Sequence, residues 1–439
     1  MSTLDALAAS DEIVATYRRY LASLLPVADH GVEAALRAQI ESNPLLHKGP
    51  LIEATPPYAR GAPIRDLIDE GVLHPGFERL ASADLPLDRP LYAHQEQALR
   101  KAVAGRSFVV ASGTGSGKTE SFLLPALNHL VTESAESRLS PGVRALLLYP
   151  MNALANDQMR RLRRLLAGTP DITFGRYIGD TENDDAKARS SFAAKNPGEP
   201  LLPNELLSRE QMRATPPHLL LTNYAMLEYL LLRPQDLDLF EGEHGGHWTF
   251  LVVDEAHVYD GARGSEIAML LRRLRVRVGA ERLQCIATSA TVGADRNAGA
   301  VVDFATNLFG QPLEWIDTDP SKQDVVQAQR VPPAPGTWGP LDPGQWRILA
   351  DAEDLDQAVR ALAPHEPDVS TYDVLAAERS VSGVRARLAG GPSAAQDVAR
   401  IAFAGFTSLE AERALVDLVD ICARVHDPFG SPLLSARYH

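Results

Sequence analysis

The sequence predicts an α/β protein whose main domain is built on a mostly parallel β-sheet. Two observations predict this fold class. Between residues 91 and 310, short apolar runs alternate with segments of helical periodicity, and strands joined through helices pair in parallel with right-handed crossovers. Three of the apolar runs are followed at once by small or charged residues, which is typical of the carboxyl edge of such a sheet, where ligands bind.

Flanking segments accompany this domain. Residues 1–90 predict a helical and irregular extension, and residues 91–317 form the sheet domain. Residues 318–346 contain six prolines and predict a linker, and residues 347–439 predict a helical region. Residues 181–216 are polar and predict an exposed, partly helical excursion from the sheet domain. The predicted strands are 107–111, 144–149, 173–178, 218–222, 250–254 and 284–288.

A glycine-rich segment follows the first of these strands. It consists of Ser112, Gly113, Thr114, Gly115, Ser116, Gly117, Lys118 and Thr119. Glycines let backbone N–H groups converge on a phosphate without interference from a Cβ atom. Lys118 supplies charge for the β- and γ-phosphates, and the Thr119 hydroxyl can ligate Mg²⁺. The usual pattern opens with glycine, and Ser112 is small enough to make the same turn. The segment therefore predicts an ATP-binding phosphate loop.

A carboxylate pair follows the strand predicted at 250–254. Asp254 is the candidate Mg²⁺ ligand, through water, because Mg²⁺ dehydrates reluctantly. Glu255 is the candidate base that orients or deprotonates the attacking water. We expect His257 to couple the nucleotide state to hydroxyls after the next strand, those of Ser289 and Thr291.

Together these segments resemble superfamily 2 helicases of the DEAD/DEAH-box type, over roughly residues 90–310. Their sequence is most similar to the YprA/MrfA-like bacterial DNA helicases, a branch that includes phage-defence relatives. The resemblance implies an N-terminal RecA-like P-loop NTPase lobe with ATP and Mg²⁺ as cofactors. It also implies 3′-to-5′ movement on single-stranded DNA, driven by ATP hydrolysis that Lys118, Glu255, His257, Ser289 and Thr291 carry out. Gln95, in Leu91–Ala98, occupies the position of the adenine-reading glutamine.

The same resemblance implies nucleic-acid contacts from three segments, 149–158, 177–181 and 222–228. Backbone amides and small polar groups in them would grip phosphates without reading base sequence. The candidate contacts are Pro150, Asn152, Ala153, Gln158, Gly179, Thr222, Asn223 and Met226.

Two arginine clusters have two open interpretations. They are Arg160, Arg161, Arg163 and Arg164, and Arg272, Arg273, Arg275 and Arg277. Either they provide local positive charge along a nucleic-acid groove, or they form solvated helix faces. The net charge of −14 does not decide between them, since a motor needs local rather than average positive charge.

Composition limits the remaining possibilities. The two cysteines support neither a disulfide framework nor a zinc site, and they predict a reducing cytoplasm. No signal peptide and no membrane span are expected. The resembled family uses a second RecA-like lobe with an arginine finger, and no such motif follows residue 291. We therefore expect an N-terminal fragment, with the second lobe in cis or on a partner subunit. The alternatives are an RNA helicase, a translocase that remodels protein–DNA complexes, and a nucleotide-gated binding module without effective turnover.

Overall fold

The computed structural model describes residues 6–24, 26–43, 46, 49–113, 115–279, 283–290, 298–363 and 368–438. Thr114 and Thr291 therefore lie outside the described residues. The chain forms two compact units, one from residues 58–329 and the other from residues 1–57 together with 330–439. No helix in the described part of the chain has the length and apolarity needed to cross a bilayer.

The elements in the N-terminal part of the chain are few. They are α1 (Ala6–Leu24), α2 (His30–Ser42) and β1 (Leu51–Ala54). Asp29 caps α2, because its carboxylate accepts hydrogen bonds from the amides of Gly31 and Val32.

The sheet unit contains the next ten strands and ten helices. The strands are β2 (Arg60–Pro63), β3 (Pro90–Tyr92), β4 (Phe108–Ala111), β5 (Ala145–Tyr149), β6 (Phe174–Arg176), β7 (Glu205–Leu206), β8 (Leu219–Asn223), β9 (Phe250–Val253), β10 (Gln284–Ser289) and β11 (Val325–Gln327). The helices are α3 (Ile64–Asp69), α4 (Ala93–Val103), α5 (Lys118–Ala135), α6 (Asn152–Leu166), α7 (Asp185–Lys195), α8 (Arg209–Ala214), α9 (Tyr224–Leu232), α10 (Gly242–Gly245), α11 (Gly261–Val278) and α12 (Ala298–Phe309).

Eight of these strands form one parallel sheet in the order β11-β4-β10-β9-β5-β8-β6-β7. The α/β fold class is confirmed, and each of the six predicted strands is present within two residues of its predicted ends. The sequence did not predict β7 or β11. Both have only two or three residues, too short for a periodic signal, and they are held by pairing with β6 and β4.

The sheet is buried on both faces, which explains the continuous apolar runs. In β4, Phe108 and Val110 pack in a cluster with Phe122 of α5, whereas Val109 and Ala111 pack in a second cluster on the other face. This alternation is the two-residue period of a strand. Each large aliphatic side chain buried in this way stabilises the fold by roughly 1.5–3 kcal/mol.

The second unit is mainly helical. Its C-terminal elements are α13 (Pro343–Ala350), α14 (Leu355–Leu362), α15 (Thr371–Ala376), α16 (Arg379–Ala389), β12 (Ser393–Ala394), α17 (Ala395–Ala402), α18 (Ser408–Arg424) and β13 (Ala436–Tyr438). Strand β1 lies between β12 and β13, antiparallel to both, and Ile52 of β1 is fully buried in the core of this unit.

This grouping differs from the four segments expected from composition. Residues of the predicted extension 1–90 are divided between the two units, since β1 packs with the helical region and residues 58–90 pack with the sheet. The physical reason is strand pairing across more than 300 positions, which leaves no local signal in the sequence. The boundaries at residues 90, 317 and 346 stay predictions.

Candidate functional site

The carboxyl edge of the sheet divides into two adjacent halves. The neighbouring strands β4, β10 and β9 end at the phosphate loop, at Ser289 and at Asp254. The next strands, β5, β8 and β6, end at the three segments predicted to contact nucleic acid. Strand order therefore places the phosphate loop, Ser289 and Asp254 on one half of this edge, and the three segments predicted to contact nucleic acid on the other half.

Serine replaces the usual first glycine of the phosphate loop, and the structure gives it a partner. The hydroxyls of Ser112 and Ser116 lie 2.6 Å apart, and the Ser112 amide donates to the Ser289 carbonyl at 3.1 Å. The loop therefore binds its own first residue and also the end of β10. Gly117 has φ +70°, and a Cβ there would lie 2.4 Å from the Gln95 amide nitrogen, so only glycine fits.

Side chains at the start of α4 form hydrogen bonds with the phosphate loop. The Gln95 side chain accepts from the Tyr92 amide at 2.8 Å and donates to the Gly117 carbonyl at 2.9 Å. His94 donates from Nε2 to the Ser116 carbonyl at 3.0 Å. Burial lowers the pKa of His94, so its imidazole is neutral at neutral pH. The adenine contact of Gln95 stays a prediction, because both ends of its amide have partners inside the protein. His94 was not among the predicted site residues.

Lys118 and Glu255 form an ion pair at 2.9 Å across the site. The other carboxylate oxygen of Glu255 lies 3.4 Å from Nδ1 of His257. Glu255 adopts the left-handed conformation with φ +51°, which is uncommon for a residue other than glycine and is often found at functional sites. Its amide donates to the Thr288 hydroxyl at 3.1 Å. The predicted phosphate ligand and the predicted base thus neutralise each other in this structure.

Asp254 directly precedes Glu255 and is buried, with 9% of the residue exposed. Its carboxylate accepts a short hydrogen bond from the Thr288 hydroxyl. Burial raises the pKa of Asp254, and the charge of Glu255 raises it further. Thr288 was not predicted to belong to the site. The available signal was its position as a hydroxyl residue directly before Ser289 at the end of a buried strand.

The oxygen groups here fit a magnesium ion that also binds phosphate. The described residues contain no group of three acidic, histidine or cysteine side chains that could hold a metal by themselves. Asp254 and the Thr119 hydroxyl supply one carboxylate and one alcohol oxygen. Mg²⁺ commonly binds one or two protein oxygens together with substrate phosphates and water. The donor set is therefore suited to Mg²⁺ only when a nucleotide is present.

Replacing Asp254 by asparagine is expected to stabilise the protein at neutral pH while it removes the predicted metal ligand. Because the folded state raises the pKa of this acid, folding stability falls as pH rises through the interval between its unfolded and folded pKa values. Asparagine avoids that cost and still accepts the hydrogen bond from Thr288. Thermal melts at pH 8 should show a higher melting temperature for Asp254→Asn, with a smaller gain at pH 5. Mg²⁺ should no longer tighten nucleotide binding. A lower melting temperature at pH 8 would contradict this reading of the buried carboxylate.

On the other half of the edge, an asparagine pair joins the starts of two helices. Asn223 donates to the Asn152 side chain at 2.8 Å and accepts from the Met226 amide at 2.8 Å, so it caps α9. In contrast, Met151 provides no side-chain cap for α6. The amides of Asn152 and Ala153 therefore lie at an exposed, uncapped helix N-terminus, which attracts anions.

Three of the predicted nucleic-acid residues point inward. The Thr222 hydroxyl is fully buried and donates to the Tyr177 carbonyl at 2.6 Å. Met226 is 5% exposed, and Gln158 donates to the Thr119 hydroxyl at 3.3 Å. Gly179 is exposed and Pro150 is half-buried. The strand contacts of these residues stay predictions, and Gln158 links the strand half of the edge to the phosphate loop.

The structure gives the arginines of both clusters partners within the protein, and both interpretations of the clusters stay predictions. In α6, Arg160, Arg161, Arg163 and Arg164 pair with Asp157, Glu120, Glu205 and Asp84. In α11, Arg273 and Arg277 pair with Glu228 and Glu241, while Arg272 and Arg275 donate to carbonyls at the end of α12. Arg160 pairs within its own helix, whereas the other seven arginines bind carboxylates or carbonyls from other parts of the chain.

Known proteins resemble this chain over the same region. Residues 92–298 match the profile of the DEAD/DEAH box helicase family. The Druantia protein DruE of Escherichia coli (strain UMEA 4076-1) is 34% identical, over 67% of this chain and 21% of DruE. The uncharacterized ATP-dependent helicase YprA of Bacillus subtilis (strain 168) is 28% identical, over 60% of this chain and 30% of YprA. A crystal structure of the helicase MrfA bound to DNA has a TM-score of 0.45 and 24% identity, over 66% of this chain and 32% of MrfA. The chain thus spans less than a third of the length of these relatives.

Proposed function

Since residues 92–298 belong to the DEAD/DEAH box helicase family, we propose that this chain is the ATP-binding lobe of a DNA helicase or translocase. In this proposal it couples hydrolysis of Mg·ATP to movement on single-stranded DNA. The observation that supports it most is the division of the sheet edge, with nucleotide residues after β4, β10 and β9 and strand residues after β5, β8 and β6. A conformational change at the bound nucleotide can thereby reach the bound DNA through neighbouring β-strands of one sheet.

The nucleotide half supports a mechanism that starts with an exchange of partners. An arriving triphosphate competes with Glu255 for the Lys118 ammonium, 2.9 Å from that carboxylate before binding. Once Lys118 turns to the phosphates, Glu255 is free to orient a water molecule and take its proton. Thr119 and Asp254 would hold Mg²⁺, which when bound neutralises phosphate charge. His257, next to Glu255, responds to the same exchange.

The strand half supports binding that does not depend on base sequence. Phosphates of the strand approach the uncapped start of α6 and the exposed loop at Gly179, where backbone amides are the donors. Affinity of this kind falls steeply with salt concentration. We also propose that a second RecA-like lobe, in cis or on a partner subunit, supplies the arginine finger. The proposed pathway is DNA repair or phage defence. The proposed location of the protein is the cytoplasm. The free thiols of Cys285 and Cys422 support that location.

One observation favours a second candidate function, a nucleotide-gated binding module without effective turnover. Among the described residues, Lys118 is the only lysine or arginine that forms an ion pair with Asp254 or Glu255. An arginine finger contributes about 10³–10⁵ in rate to related phosphoryl transfers. A lobe that lacks one binds nucleotide without turning it over quickly.

The test compares ATP turnover and strand binding on single-stranded DNA and on RNA, with the chain alone and with a second lobe added. We expect DNA to raise turnover once the second lobe is present. Turnover that is unchanged by either nucleic acid, with strand binding intact, would favour the gated module. Stimulation by RNA alone would instead make the chain an RNA helicase.

Within this test, Asn152→Ala is expected to weaken single-strand binding about tenfold, because it removes the side-chain N–H donors of Asn152 from the start of α6, and a hydrogen bond to a charged group contributes about 1.5–3 kcal/mol. The matched control is Arg164→Ala on the same helix, whose exposed guanidinium pairs with Asp84. The control should bind within about twofold of the unchanged chain, since exposed ion pairs contribute little. Equal losses in both variants would favour the groove interpretation of the α6 arginines.

A further inference from the structure

The short helix α8 binds the loop that follows β6, at Ile178 and Gly179. This helix belongs to the polar excursion at 181–216, to which the proposed function gives no role. Arg209, its first residue, donates from one guanidinium nitrogen to the carbonyls of Ile178 at 3.1 Å and Gly179 at 2.8 Å. Its guanidinium also lies over the Tyr177 ring, 5.4 Å from the ring centre.

The two captured carbonyls determine where the neighbouring amides point. In a trans peptide the C=O of one residue and the N–H of the next point in opposite directions. With the carbonyls of Ile178 and Gly179 held by Arg209, the amides of Gly179 and Asp180 point away from α8. No acceptor for either amide is found in the described part of the chain. Gly179 is exposed, and the space where its Cβ would lie is open.

A buried polar network fixes the loop from the other side. Arg213, one turn after Arg209, donates to the fully buried Asp236 carboxylate at 2.7 Å and to the Tyr177 hydroxyl at 3.0 Å. The Tyr177 hydroxyl donates to the same Asp236 oxygen at 2.6 Å. Burial and the Asp236 acceptor raise the pKa of Tyr177 to about 12, so this hydroxyl keeps its proton. Three hydrogen bonds join Arg213, Tyr177 and Asp236 in a closed set, which is suited to hold the loop in one conformation. The second carboxylate oxygen of Asp236 is buried without a hydrogen-bond partner among the described residues.

The charges around the loop are balanced rather than acidic. A cleft of about 170 Å³ that Asp180 lines has four cationic side chains and three carboxylates, namely Arg160, Arg163, Arg176, Lys195, Asp180, Glu182 and Glu205. The cations therefore offset the carboxylates at this rim, and an anion is not repelled from the free amides.

We propose that Arg209 is a positioning residue that makes the amides of Gly179 and Asp180 the seat for one phosphate of the bound strand. The ligand chemistry is a phosphodiester, and the strand that carries it is single-stranded DNA. The inference rests on the proposed function and deepens it, because it assigns a role to the excursion and names the groups that receive the phosphate.

The test measures anisotropy of a labelled oligodeoxythymidine with the full 439-residue chain. Arg209→Ala should weaken binding about tenfold, while Arg209→Lys, which keeps the charge and can donate to a carbonyl but has no planar group to lie over the Tyr177 ring, should restore part of the affinity. The control is Arg189→Ala, an exposed arginine of the same excursion that pairs with Asp185 on α7. It should bind like the unchanged chain.

A second readout separates positioning from general stability. Oligonucleotides that carry one uncharged methylphosphonate at successive positions report each phosphate contact. One position should weaken binding to the unchanged chain and have no effect on Arg209→Ala, while the other positions act equally on both. An identical profile for the two proteins overturns the inference and leaves the proposed function standing.

A third variant covers the case in which Arg209→Ala does not fold. Gly179→Val places a side chain in open space at a position without positive φ, so the fold should be retained while the phosphate seat is blocked. Normal strand affinity of folded Gly179→Val would overturn the inference. Absence of strand binding by the unchanged chain would overturn the inference and the strand-binding part of the proposed function together.

Discussion

Replacing Lys118 by alanine is expected to abolish detectable ATP binding while leaving the protein folded. Among the described residues, Lys118 is the only lysine or arginine that forms an ion pair with Asp254 or Glu255, and it lies at the start of α5 beside the phosphate loop. Alanine supplies no charge for the β- and γ-phosphates. The fold should persist because Glu255, the residue that loses its partner, is 22% exposed at its side chain and can be solvated.

The measurement for Lys118→Ala is binding of a fluorescent ATP analogue, with thermal melts to confirm the fold. Lys187→Ala is the matched control, since it removes an exposed lysine from α7 at a distance in sequence from the phosphate loop. Equal nucleotide affinity in Lys118→Ala and the unchanged chain would remove the phosphate-loop assignment. A loss shared with Lys187→Ala would indicate a general effect of net charge.

Replacing Glu255 by glutamine is expected to preserve nucleotide binding and to slow hydrolysis by roughly two to four decades. Glutamine has nearly the same shape but cannot accept the proton of the attacking water. The structure adds a second expectation. Because glutamine cannot form the ion pair that holds Lys118, the lysine is available to the phosphates, and the variant should bind nucleotide at least as tightly as the unchanged chain.

Turnover of Glu255→Gln is best measured with single-stranded DNA and a second lobe present, so that the unchanged protein is active. Glu266→Gln serves as the control, since it makes the same chemical change at an exposed position of α11. Unchanged turnover in Glu255→Gln would show that another group acts as the base. Weaker nucleotide binding would show that the ion pair with Lys118 does not compete with the phosphates.

The nucleotide half of the site could be predicted from the sequence because its residues are adjacent along the chain. The phosphate loop and the Asp254–Glu255 pair each follow a buried strand directly, so knowing the strands is enough to know where these side chains emerge. The six main strands were equally accessible, since burial on both faces requires continuous apolar runs. Thr288 and His94, which bind Asp254 and the loop, were missed, and their only local signal was their position next to the predicted residues Ser289 and Gln95.

The sequence by itself determined the fold class, the main strands of the sheet and the chemistry of the ATP-binding residues. Only the tertiary structure decided which polar side chains have partners inside the protein and which are available to a ligand. It paired the α6 and α11 arginines, turned the Thr222 hydroxyl inward, directed Gln158 to Thr119 and brought Arg209 to the Gly179 loop. Apolar patterns and motifs are local along the chain. In contrast, a hydrogen bond or ion pair depends on a partner that folding brings from tens of residues away, and a buried polar group must find such a partner or destabilise the fold.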